Sequence, residues 1–94
     1  MASENLAVFS LINFMKNARP EDSQSLLSSL LTPAEIDVLA QRLEILDRLA
    51  NGTPQREISE TLGVGIATVT RGSRVWQKEK QLLRSYFPRA RKLT

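Results

Sequence analysis

Apolar side chains recur along this chain at intervals of three and four residues, the period of helices that bury one face, and no stretch alternates as a strand would. Leu6, Phe9, Leu11, Ile12 and Met15 outline a first helix from about Glu4 to Ala18. Pro20 suits the first turn of a short second helix, with Glu21 and Asp22 near its positive end and Leu26, Leu27, Leu30 and Leu31 as its apolar side. Thr32-Pro33-Ala34-Glu35 predicts a sharp third start: Thr32 caps, Pro33 opens, and Glu35 returns a bond. Ile36, Leu39, Leu43, Leu46 and Ala50 then mark one face until Asn51-Gly52 stops the helix. Thr53 is expected to cap a fourth helix opened by Pro54, and Gly63-Val64-Gly65 to separate it from a fifth, Ile66 to Trp76. A last helix, Glu79 to Phe87, uses Leu82, Leu83, Tyr86 and Phe87 and ends at Pro88. The expected fold is all-α, about six helices in one domain spanning 1–94. The tail 88–94 has too few apolar groups to pack and is expected to be mobile.

Residues 55–74, QREISETLGVGIATVTRGSR, have the pattern of a helix-turn-helix. Ile58, Leu62, Val64, Ile66 and Val69 supply the contact between two crossed helices, and Gly63 supplies a turn that takes positive φ at little cost. The second helix is left with Ala67, Thr68, Thr70 and Arg71, short or polar groups that would let its backbone approach base edges in a DNA major groove. Its glycine-flanked start leaves N–H groups and the positive dipole end free to meet a phosphate.

Charge sharpens this reading. Residues 1–65 hold five basic and nine acidic side chains, whereas residues 66–94 hold eight basic and one acidic. The positive half begins at the candidate reading helix, as expected for a polyanion partner. The other reading of this half is a solvated basic tail. The chain has neither histidine nor cysteine, so disulfides, thiolate metal sites and the commonest general base are excluded. Glu35, Asp37, Glu44 and Asp47 sit on polar helix faces, and neither an enzyme nor a metal site is expected. Ninety-four residues make a small core for a single chain, which favours a dimer. The apolar runs fall far below the ~20 residues of a membrane span. MASENLAVFS lacks a basic segment ahead of an apolar one, so no secretory signal is expected and the protein is read as soluble.

From Leu31 to Ser73 the chain resembles the Trp repressor family, through LTPAE, AQRLEILDRLANG, QREI and above all LGVGIATVTRGS. The resemblance implies a bacterial, cytoplasmic transcriptional repressor whose operator binding is gated by L-tryptophan. It also implies an intertwined homodimer with two reading heads spaced for successive major grooves of double-stranded operator DNA, the arrangement this family itself exemplifies. By matching position, Gln55 and Arg56 would lie near phosphates and the groove edge, while Ile66, Ala67, Thr68 and Thr70 would face DNA. Ser59 stands where the family often has lysine, which implies one weaker contact. Pro88 and the basic tail are not family features.

The same resemblance implies an effector, with no further cofactor, held as an indole ring between Arg42 and Arg71. A guanidinium plane stacks on an aromatic face, and its fork pairs with a carboxylate, the role implied for Arg71. Thr32, with main-chain carbonyls around Ser29 and Leu31, would receive the polar end, and Gly72 would leave room for the ring. Val75 falls where the family has a serine that helps hold the α-amino group, so related indole acids lacking the amine are expected to compete. Other readings stay open. Arg42 can instead pair with Glu35, Asp47 or a second subunit, and Trp76 and Phe87 are expected in a dimer core rather than as stacking platforms for bases. The chain can also be a helix-turn-helix DNA binder without this gating, as in a transposase or replication initiator, or a helical module for an acidic protein partner.

Overall fold

The computed structural model describes residues 2–87, with side-chain surroundings from residue 5 onward. The elements are α1 (Ala2–Asn17), a 3-10 turn (Pro20–Asp22), α2 (Ser23–Leu30), α3 (Pro33–Ala50), α4 (Gln55–Leu62) and α5 (Ile66–Leu83). The described residues form no strand, and none of their helices is long and apolar enough to cross a membrane. The chain divides into two compact units, Met1–Ile36 and Asp37–Thr94, with α3 running through the division.

Helix ends follow local chemistry in most places. The Thr32 hydroxyl accepts from the Glu35 N–H at 3.2 Å, and the Glu35 carboxylate accepts from the Thr32 N–H at 2.9 Å, completing the expected reciprocal cap of α3. At the other end Gly52 takes φ +81°. The Thr53 N–H then returns to the Arg48 carbonyl and the Gly52 N–H to the Leu49 carbonyl, which satisfies two of the helix's last carbonyls.

Three expectations are corrected. Thr53 does not cap α4: extended Pro54 occupies the cap position, and no side chain bonds to the first turn. Leu31 lies outside α2, as its extended C-cap. The two helices expected at Ile66–Trp76 and Glu79–Phe87 form one element, α5, bent where Glu79 adopts φ −109°, ψ 19° and followed by turns through Phe87. Nothing in the segment between them lacks a backbone N–H, so the helical ladder continues with a kink, and the described residues form five α-helices. The expected stop at Pro88 and the tail lie outside the described residues.

The buried core of the second unit is small. Ile45 of α3, Ile58 of α4 and Val69 of α5 are at most 1% exposed and pack together, with Leu49, Leu62 and Val64 around them. Gly72 explains how α5 comes so near α3: a Cβ there would lie 2.7 Å from Ile45 Cγ2, closer than carbon atoms pack. Trp76 is also buried, under the Arg84 guanidinium, whose Cζ stands 4.9 Å from the ring centroid. Arg84 Nη1 donates to the Ala50 carbonyl at 3.0 Å and so ties the end of α5 to the end of α3. In the first unit, by contrast, no described residue of 5–36 is buried.

Candidate nucleic-acid interface

The helix-turn-helix is built from α4, a left-handed turn and α5. Gly63 takes φ +68° at the end of α4, and the Val64 N–H returns to the Ser59 carbonyl at 3.1 Å. The Ser59 hydroxyl closes the same turn from the other side, donating to the Val64 carbonyl at 2.6 Å. This hydroxyl therefore shapes the turn, a use that helical periodicity does not reveal. Ile58 and Val69, both fully buried, fix the crossing of the two helices.

On α5, Val69, Gly72, Ser73 and Trp76 turn inward, at the spacing of one helical face, while Ile66, Ala67, Thr68, Arg71, Arg74 and Val75 are exposed. Ile66 is 52% exposed although apolar, so it stands outside the packing contact that its period suggests. The helix opens at Gly65, which offers no side-chain cap to the first turn. Exposed N–H groups and the positive dipole end thus sit beside Ile66, Ala67 and Thr68.

Gln55 opens α4 and Thr70 lies 15 residues on, yet the Thr70 hydroxyl donates to Gln55 Oε1 at 3.1 Å, and both residues are half-buried. The next residue, Arg56, is exposed. Gln55, Arg56, Ile66, Ala67, Thr68 and Thr70 are thereby gathered on one helix pair, with Ser59 behind them inside the turn.

The arginines read for ligand binding stem from the α3–α5 crossing. Arg42 precedes Ile45 by one turn, Arg71 directly precedes Gly72, and a Cβ at Gly72 would meet the Ile45 side chain. Both arginines are exposed, and neither forms an ion pair among the described residues, so Asp47, in the same unit as Arg42, does not neutralise it. Gly72 faces Ile45, and Val75 is 43% exposed on the outer side of α5. In the first unit the Thr32 hydroxyl is engaged in its helix cap, the Ser29 hydroxyl donates to the Ser25 carbonyl at 2.7 Å, and Leu31 is half-buried. Periodicity reveals nothing of Arg84, whose partner Ala50 is 34 residues away.

A buried crossing, a left-handed turn and an exposed second helix make a helix-turn-helix unit. The family model for the Trp repressor protein matches residues 4–90, and the chain belongs to that family. It is similar to a Trp operon repressor homolog of Photobacterium profundum, 46% identical over 65 residues that make up 67% of this chain and 63% of the relative. The homolog of Vibrio cholerae is 45% identical over the same share of each chain. That of Aliivibrio salmonicida is 49% identical over 57 residues, 60% of this chain and 53% of the relative. The matched part thus spans between half and two thirds of these relatives. No solved structure gives a significant match.

Proposed function

We propose that this protein is a cytoplasmic transcriptional repressor that binds operator DNA as a homodimer and is gated by L-tryptophan. The observation that carries the reading is the exposed face of α5, with Ile66, Ala67, Thr68 and Arg71 set on a packed helix-turn-helix whose second helix lies in the basic part of the chain. Family membership and relatives named Trp operon repressor homologs support it. Backbone N–H groups at the start of α5 and the Arg56 guanidinium suit phosphates, while Thr68 and the small Ala67 let the helix lie near base edges.

Arg42 and Arg71 are exposed and form no ion pair among the described residues at the α3–α5 crossing, which suits them to clasp an aromatic ring between two guanidinium planes. A ligand lodged there acts on the angle of α5. It favours DNA binding only as far as it binds the DNA-competent angle more tightly than others. Val75 offers no hydroxyl to an ammonium group, so the amine is recognised less strongly than the ring and carboxylate. Indole acids without the amine therefore compete.

A mobility-shift titration on duplexes selected from a randomised palindromic pool tests this, using no effector, L-tryptophan or indole-3-propionate. L-Tryptophan is expected to tighten binding by about tenfold or more, a coupling within the usual range for linked sites. Indole-3-propionate should compete with it, and Arg71→Leu should abolish the response while the variant remains folded. Affinity that ignores both effectors would remove the gating, and equal affinity for every duplex would remove the operator.

A further inference from the structure

We infer that Thr70 does not itself read DNA but is a positioning residue, fixing the Gln55 side-chain amide so that its two N–H groups point to a hydrogen-bond acceptor on the duplex. The inference rests on the DNA-binding reading above and deepens it. The Thr70 hydroxyl donates to Gln55 Oε1 at 3.1 Å, so the oxygen end of the amide is held inward against α5. Gln55 Nε2 makes no hydrogen bond among the described residues, which leaves both of its donors for an outside partner. Two features keep the pair in place. Ile58, one turn after Gln55, is fully buried, and so is Val69, the residue before Thr70, so neither backbone can drift from the other.

The chemistry that fits is an acceptor, either a phosphate oxygen or a purine N7. An amide held at its oxygen does not rotate to present that oxygen, so a cytosine amino group at this position is disfavoured. Thr70 and Gln55 then act as one unit, and removing either has the effect of removing both.

The test is a double-mutant cycle with Gln55→Ala, Thr70→Val, the double variant and Thr70→Ser, measured on the duplex that the unaltered protein selects in the presence of L-tryptophan. Each single loss is expected to weaken binding about tenfold, the double variant no more than either single one, and Thr70→Ser less than about twofold. In the free protein, the Gln55 side-chain N–H resonances should shift in Thr70→Val and return in Thr70→Ser, a readout that general loosening of the fold does not restore. Equal weakening across all duplexes assigns the acceptor to a phosphate, and weakening at one base position assigns it to a base edge; both support the inference. Additive losses, or unmoved Gln55 resonances, overturn this inference and leave DNA binding intact. If the unaltered protein selects no duplex, the DNA reading fails and the inference fails with it.

Discussion

At Gly72 a hydrogen in place of a methyl group decides how near α5 lies to α3, because the missing Cβ would fall 2.7 Å from Ile45 Cγ2. The family resemblance implies that this glycine leaves room for a ligand ring, and in the fold it also faces Ile45 of α3. Gly72→Ala is therefore expected to lower stability by about 1–3 kcal/mol through overpacking, seen as a lower urea midpoint with an unchanged slope. An unchanged midpoint would show that Ile45 moves aside freely. Ser59 makes the same point about legibility. The resemblance implies a weaker DNA contact at Ser59, and in the fold its hydroxyl also donates to the Val64 carbonyl inside the turn. Residue type and spacing revealed that these positions matter, but not what each one touches.

Among the elements, the ends governed by neighbours were legible and those governed by distant groups were not. Thr32 and Glu35 lie three residues apart and cap α3 as their spacing predicts. Gly52 and Gly63 both take the left-handed turns that end α3 and α4. The end of α5 depends instead on Arg84, which reaches across to the Ala50 carbonyl and covers Trp76. Arg84→Gln should cost about 1–2 kcal/mol and move Trp76 emission to longer wavelength as water reaches the ring. Trp76 is the only tryptophan of the chain, so the signal has one source. Arg84→Lys should fall between, since it keeps the charge but loses the plane, and an emission spectrum unmoved by either change would show that the guanidinium does not shield the ring.

At the scale of the molecule, the buried residues among those described all belong to the second unit, and the first unit offers a large apolar surface. Leu6, Phe9, Leu11 and Met15 on α1 are each more than half exposed, an arrangement that water disfavours. A second copy of the chain is the partner proposed here, so light scattering should give twice the chain mass. Phe9→Glu with Met15→Glu should shift the population toward monomer, because two buried charges oppose association. A monomer at every concentration tested would leave the apolar face of α1 without this explanation. Trp76 and Phe87 are expected in a dimer core, and Trp76 is buried within the single chain. Distinguishing core from interface requires knowing which helices meet.

The sequence by itself determined the all-helical class, the capping of α3, the glycine turns and the family, since each depends on residues a few positions apart or on one contiguous run. Only the tertiary structure decided that Gly72 fits against Ile45, that Thr70 holds Gln55, and that Arg84 closes over Trp76 onto Ala50. The last two join residues 15 and 34 positions apart, and the reason is physical. Helical period reports which face a side chain occupies, whereas its partner is chosen by how separate helices cross, and burial of Ile45, Ile58 and Val69 sets that crossing.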